Sequence, residues 1–248
     1  MIGGHVTRAT PTPQHLGSRV AALVTDERLA ALDTDGSVVI GGVLAPETCR
    51  AIAALYADDA RFRSRIVMAR HGFGRGEYKY FADPLPDAIA MLRAAFYAPL
   101  ATVANRWSEQ LGRGLRHPTE LGEWLDRCHA AGQCRPTPLL LRYAAGDWNC
   151  LHQDVYGELV FPIQVAILLS DPRRDFTGGE LVLAEQRPRQ QSRVRVVPLA
   201  QGDAVAFAVR DRPVRGSRGV YRANVRHGVS ELRSGERTTL GLIFHDAR

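Results

Sequence analysis

Apolar residues recur at helical spacing through "SRVAALVTDERLAAL" (18–32), which predicts a helix. "GSVVIGGVL" (36–44) is a β-branched run framed by glycines and predicts a strand. "APETCRAIAALYADDARF" returns to the helical period, with Pro46 and Glu47 suited to a helix start. "DPLPDAIAMLRAAFYAPLATVANRWSEQL" predicts one or two helices with an interruption at Pro99. "TELGEWLDRCHAAG" predicts another, capped by Thr119 and stopped by Gly132. From about residue 137 the texture changes to short strand-like runs: "TPLLLRYAAG", "LVFPIQVAILLS", "GGELVLAEQ", "SRVRVVPL", "DAVAFAVRDRPV", "YRANVRHGVSEL" and "ERTTLGLIFHDA". Turn signals such as "SDP", "TGG", "QGD" and "RSGE" separate them. Strands at this spacing fit a sandwich or barrel, and a jelly roll best. The predicted fold is α+β: a mainly helical part over 1–136, serving as an N-terminal buttress, and a jelly-roll core over 137–246, together one domain spanning 1–248.

Composition narrows this picture little. Hydrophobic residues make up 45% of the chain and charged residues 23%, so a sizeable core is expected rather than disorder. No apolar run is expected to be long enough to cross a bilayer, and the N-terminus lacks the basic start and apolar stretch of a signal peptide. A cytoplasmic protein with a loose N-terminal tail is therefore expected, with no membrane association and no obligate protein partner. The four cysteines, Cys49, Cys128, Cys134 and Cys150, form no Cys-x-x-Cys pair, which argues against structural zinc and for reduced thiols. The net charge of +6, carried mostly by arginine, suits an anionic partner such as nucleic acid. An arginine-rich proteome would give the same figure.

The chemistry centres on "NCLHQDVYGELVF" (149–161). On an extended strand, His152 and Asp154 project to one face while Gln153 points away. An imidazole and a carboxylate side by side are two legs of a metal site. The two-histidine, one-carboxylate arrangement of non-haem iron needs one more histidine, and "YRANVRHGVS" offers His227. Ten residues on, "SGERTTLGLIF" places Arg237 at the start of an apolar strand, where a buried guanidinium would grip a carboxylate. Arg233 is the nearby competitor.

With these four residues in order, the chain resembles the 2-oxoglutarate/Fe(II)-dependent dioxygenase superfamily. "LLRYAAGDWNCLHQD", "FTGGELVL" and "QGDAVAF" resemble the strands and Gly-Gly hairpin that surround its metal motif. "RFRSRIVMARHGFGRGEYKYF", "LLLRYAAGDWNCLHQDVYGELVFP" and "TGGELVLAEQRPRQQSR" resemble a bacterial oxygenase family described as acting on alkylated, damaged DNA. The resemblance implies a double-stranded β-helix core and three cofactors or cosubstrates: Fe(II), 2-oxoglutarate and dioxygen. It implies His152, Asp154 and His227 as metal ligands and Arg237 as anchor of the cosubstrate's distal carboxylate. Tyr143 either hydrogen-bonds the cosubstrate or packs in the core. Gln164, an amide inside an apolar run, either orients a ligand or makes a structural hydrogen bond. The implied activity is oxidative demethylation of alkylated bases in damaged DNA or RNA, a DNA-repair role, with single-stranded or damaged DNA as the expected partner. The alternative is hydroxylation of a protein side chain, as in prolyl hydroxylases, or of a small molecule. A non-catalytic jelly-roll binding module is the remaining possibility.

The segment "RHGFGRGEYKYF" (70–81) interleaves Arg70, Arg75 and Lys79 with Phe73, Tyr78, Tyr80 and Phe81. Cations grip phosphates and rings stack on bases, so this segment reads as a substrate lip. A glycine hairpin with a solvated basic face is the plain alternative. "EQRPRQQSRVR" (185–195) is a second basic stretch that could flank a substrate groove. Arg226 is expected to face away from the metal. His71 is the one further histidine expected near substrate, and Cys150 is read as packing.

Overall fold

The computed structural model describes residues 13–217 and 219–248. The first twelve residues, where the loose tail was expected, lie outside the described residues, and Pro13 already opens a helix. The run expected as one helix is two, α1 (Pro13–Leu23) and α2 (Asp26–Asp35). Thr25 divides them: its side chain accepts from the Arg28 amide at 3.4 Å, and Asp26 and Glu27 follow in the first turn. Cap chemistry thus overrides apolar spacing. After β1 (Ser37–Ile40) comes α3 (Pro46–Ala54), which is shorter than the pattern suggested. Two 3₁₀ turns follow it and lead into a strand, β2 (Phe62–Val67).

Two more strands lie where the substrate lip was expected, β3 (Gly74–Arg75) and β4 (Glu77–Phe81). The glycines are what let them form. Gly74 adopts φ +127, and a Cβ there would collide with the Trp148 carbonyl oxygen across the strand pair. Gly76 adopts φ +106, and a Cβ there would come within 2.9 Å of the Tyr143 ring.

Helix α4 (Asp87–Gln110) runs uninterrupted through Pro99. Tertiary burial outweighs the missing amide donor, because Leu92, Phe96, Tyr97, Leu100, Val103 and Trp107 are all buried along it. By length and composition this helix is apolar enough to cross a membrane, contrary to expectation, but half of its apolar window is buried inside the protein. Helix α5 (Leu121–Ala130) starts from Glu120, without the side-chain cap expected from Thr119.

The remaining strands are β5 (Leu139–Ala144), β6 (Trp148–His152), β7 (Ile163–Leu168), β8 (Phe176–Gly178), β9 (Leu181–Gln186), β10 (Arg193–Val197), β11 (Ala204–Ala208), β12 (Asp211–Gly216), β13 (Gly219–Val229) and β14 (Leu232–Leu242). All pair antiparallel in two sheets. The larger follows the order β1-β11-β7-β14-β5-β4-β2, with β8 beside β14. The smaller follows β10-β9-β13-β6-β3, with β12 beside β13. At its centre the larger sheet is buried on both faces, which is why β7 and β11 read as continuous apolar runs. Ile163, Val165, Ile167, Ala204, Ala206 and Ala208 join a core shared with α1, α4 and α5. The alternate positions, including Gln164, Ala166 and Phe207, turn toward the smaller sheet and enclose the site.

Candidate active site

Strand pairing brings the predicted ligands together. His227 of β13 sits directly opposite His152 of β6 in the sheet register, and their ring centroids lie 4.1 Å apart. Asp154 follows just beyond the end of β6. Its Oδ1 is 3.6 Å from His152 Nε2, and its Oδ2 is 3.3 Å from His227 Nε2. One ligand atom from each residue falls within 4.8 Å of the others, a group able to hold a metal ion. The tautomer is suitable as well. His152 Nδ1 donates to the Cys150 carbonyl at 2.8 Å, which leaves the Nε2 lone pair facing the cluster.

Burial alone would raise the Asp154 carboxyl. The hydrogen bond and charge of His227, together with His152 and the Tyr156 hydroxyl, instead hold it well below the usual carboxylate range. Burial, reinforced by His227, pushes His152 below the ordinary histidine range. At neutral pH the group therefore presents a carboxylate and a neutral His152 imidazole, the states a divalent cation requires.

Facing this cluster in the same cavity of about 370 Å³ is Arg237. It is 3% exposed, makes no ion pair among the described residues, and lies opposite Tyr143 in register with its guanidinium 5.7 Å from the Tyr143 ring. Burial lowers its pKa, so a charged guanidinium here needs an anion. Arg233, the competitor, is exposed and lies 3.7 Å from Glu180. Arg237 stands well inside β14, not at its start. Two buried oxygens in the cavity also lack partners, Thr239 Oγ1 and Gln164 Oε1. Gln164 Nε2 lies 3.1 Å from His227 Nε2, and Asn149 donates to the Tyr143 hydroxyl at 3.3 Å. A cavity with a cation-binding group at one end, an unpaired guanidinium at the other and orphaned acceptors between them fits a small dicarboxylate chelated to a metal ion.

Sequence reasoning missed Thr239 and Tyr156. Thr239 shares a strand face with Arg237 two residues earlier, a relation that period two makes legible. The Tyr156 hydroxyl donates to Asp154 Oδ1 at 2.5 Å and lies 2.9 Å from the Tyr80 hydroxyl. Nothing local in the sequence marks that bond, because Tyr156 follows the end of β6 in a segment without strand pairing.

The expected lip is reduced. Phe73 is 47% exposed and lines the cavity with Tyr78, and His71 stacks on Phe73 with centroids 5.3 Å apart. Arg70 and Arg75 are exposed. Lys79 and Tyr80 are not part of a lip. In β4 the side chains alternate, so Tyr80 is buried against Tyr156 and Lys79 turns to the opposite face. There the Lys79 ammonium donates to the Tyr56 carbonyl at 2.7 Å and to Asp59 at 2.5 Å, which leaves it unavailable to phosphate. Arg226 is exposed, as expected, and Cys150 lines the cavity as a free thiol.

A family model described as "Oxygenase, catalysing oxidative methylation of damaged DNA" matches residues 76–247, more than half of the chain. The chain belongs to this oxygenase family. The oxygenase is similar to two uncharacterized proteins of Mycobacterium tuberculosis, from strains CDC 1551 / Oshkosh and ATCC 25618 / H37Rv. Each is 56% identical over 167 residues, covering 67% of this chain and 72% of the relative. In fold it is similar to a Pseudomonas putida prolyl-4-hydroxylase (TM-score 0.51, 17% identity, covering 92% of this chain and 99% of that one). It is also similar to a Trichoplax adhaerens prolyl hydroxylase solved with a hypoxia inducible factor peptide fragment (TM-score 0.55, 16% identity, covering 96% and 94%). The oxygenase thus has the jelly-roll type of fold found in 2-oxoglutarate/Fe(II) enzymes. Fe(II), 2-oxoglutarate and dioxygen are the cofactor and cosubstrates of that enzyme class, and the His152–Asp154–His227 group suits the metal among them.

Proposed function

We propose that this oxygenase removes alkyl groups oxidatively from nucleic-acid bases, with DNA repair as its role. His152, Asp154 and His227 hold the ferrous ion. Bound iron supplies oxidation of a substrate C–H bond, coupled to conversion of 2-oxoglutarate and dioxygen into succinate and carbon dioxide. The chain's own residues bind and orient. Arg237 grips the distal carboxylate of the cosubstrate through paired N–H donors. Thr239 and Tyr143 offer hydroxyls beside it, and Gln164 offers its free carbonyl. Tyr156 holds Asp154 by its Oδ1. Leu181, Phe207 and Val229 line the cavity and keep water from the reacting centre. When the oxidised carbon is an N-methyl group, the hydroxymethyl product loses formaldehyde and the base is restored.

The observation that carries this reading is the unpaired, buried Arg237 facing the three-ligand group within one cavity. The nucleic-acid substrate is supported by the family description, the net charge of +6, and the exposed Phe73 of the cavity wall, with exposed Arg70 and Arg75 nearby in sequence. A base would have to be flipped or already unpaired to enter. A second reading, hydroxylation of a protein side chain or small molecule, draws support from the apolar Leu151, which lines the cavity and is 45% exposed. Helices α1, α2 and α4 act as the buttress of a single catalytic domain that works in the cytoplasm, where the four free cysteines stay reduced.

The test measures iron-dependent succinate release across methylated single-stranded oligonucleotides, peptides and free amino acids, with formaldehyde measured in parallel. Turnover and formaldehyde with methylated DNA, both lost in Asp154→Ala, are expected. Turnover on a peptide alone would select the second reading, and full activity of Asp154→Ala would refute the metal assignment.

A further inference from the structure

A second cavity, of about 580 Å³, lies between the inner face of the smaller sheet and the α2–β1 turn. It shares no lining residue with the first. Leu183 and Val225 line it, each two positions along its strand from a residue of the first cavity, Leu181 and His227. Five arginines line it, Arg187, Arg193, Arg195, Arg212 and Arg215.

The arrangement does not follow from solubility. In β10 the sequence "RVRVV" could have turned its valines inward and its arginines to bulk water. The reverse is found. Val194 and Val196 are 58% and 54% exposed on the outer face, while Arg193 and Arg195 share the inner face with buried Val197. Two of the five cations share one internal carboxylate. Glu185 accepts from Arg187 Nε and from Arg212 Nε, each at 2.7 Å, and Arg212 is further fixed by the Thr34 carbonyl at 2.9 Å. Asp33, at the rim, is occupied by Arg106 and Trp107. Arg195 reaches only the Ser37 hydroxyl, at 3.0 Å. The Arg193 side chain makes no hydrogen bond or ion pair among the described residues; nor does that of Arg215, which pairs with Val220 and so stands on the opposite face of β12 from Arg212. Arg193 and Arg195 thus face one recess with no carboxylate bound to either, while Arg187 and Arg212 share the single charge of Glu185.

We propose that this recess binds a compact polyphosphorylated small molecule, of the size and charge of a di- or triphosphate. Guanidinium forks match phosphate oxygens in pairs, and the volume lies in the range of small-molecule sites. The carboxylates of Asp33 and Asp35 also line the recess. They would accept hydrogen bonds from the hydroxyls of a small ligand.

The test titrates tripolyphosphate into the metal-free, full-length chain at constant ionic strength, read by calorimetry and by thermal shift. Using metal-free protein prevents the probe from acting by withdrawing iron. Saturable one-to-one binding is expected. Arg193→Ala/Arg195→Ala should weaken it at least about tenfold, the order expected for lost charge-assisted bonds. The charge-matched pair Arg222→Ala/Arg226→Ala, on the outer face of β13, should bind as the unaltered chain does. No saturable binding, or equal loss in the outer-face control, would overturn the proposal. So would full displacement of the probe by a single-stranded oligonucleotide lacking terminal phosphates, which would give the recess to a nucleic-acid strand.

Discussion

Replacing Arg237 by methionine keeps much of the side-chain volume and removes the charge, and two quantities should then move in opposite directions. In the ligand-free chain the guanidinium is 3% exposed with no ion-pair partner among the described residues, so its burial is a net cost. Replacing a buried charge by a packed apolar group is neutral or stabilising, by up to a few kcal/mol. A gain of about 1 kcal/mol would raise the melting temperature by roughly 2–4 °C for a chain of this size. In the complex the same group would answer a carboxylate. Truncating one partner of a buried charge pair costs about 2–5 kcal/mol, or roughly 30- to 4,000-fold in affinity. The assays are a thermal melt of the metal-free protein and the 2-oxoglutarate concentration dependence of succinate release. Arg237→Met should melt at the same or a higher temperature while its requirement for 2-oxoglutarate rises by at least about thirtyfold. A variant that melts much lower and keeps its cosubstrate requirement would show Arg237 to be a structural residue, and the reasoning would fail.

Three further outcomes are expected. Tyr156→Phe removes the donor to Asp154 Oδ1 and should weaken ferrous-ion binding by about 10- to 100-fold, read by metal titration; unchanged affinity would show that the hydrogen bond does not position the carboxylate. Lys79→Met should lower thermal stability and leave DNA binding at moderate salt unaltered, whereas Arg70→Ala/Arg75→Ala should weaken DNA binding and shallow its salt dependence; the opposite pattern would put Lys79 on the binding surface. Burial lowers the pKa of His117, packed between Trp124 and Phe161, to about 4. Since the unfolded chain takes up this proton near pH 6.5 and the folded chain only near 4, stability should fall as pH drops through that window, by roughly 3 kcal/mol from this residue. His117→Phe should flatten the pH dependence of the melting temperature between 6.5 and 4, and an unaltered slope would assign the dependence elsewhere.

Much of the site was legible because it rests on strand periodicity. His152, Asp154, His227 and Arg237 are recognisable from residue type and spacing, and antiparallel pairing does the rest. The same periodicity, applied to "EYKYF", would have turned Lys79 away from Tyr78 and Tyr80. The three glycines in "HGFGRG" read more naturally as a loop, which concealed the strand. The helical half was misjudged where a local rule met a tertiary one. Thr25 ended a helix that apolar spacing would have continued, while burial of Phe96, Tyr97 and Leu100 carried α4 through a proline that should have stopped it. The bond from Tyr156 to Asp154 and the recess lined by arginines depend on contacts between distant segments, and no window of sequence contains them.

Strand β4 comes from the part of the chain expected to be helical, yet it lies between β5 and β2 within the larger sheet. The seam between an N-terminal half and a barrel half, drawn at 136/137 from the change in texture, therefore does not exist as a place to cut. A recombinant fragment starting there would bare the β5 backbone along Leu139–Arg142, stripping four residues of their pairing partners. It would also remove Tyr78 from the wall of the catalytic cavity. Such a fragment offers an open edge to any passing strand, and its expected fate is insoluble aggregate. Since β1 pairs with β11 in the same sheet and α1 and α2 share its core, expression boundaries for this chain belong upstream of α1.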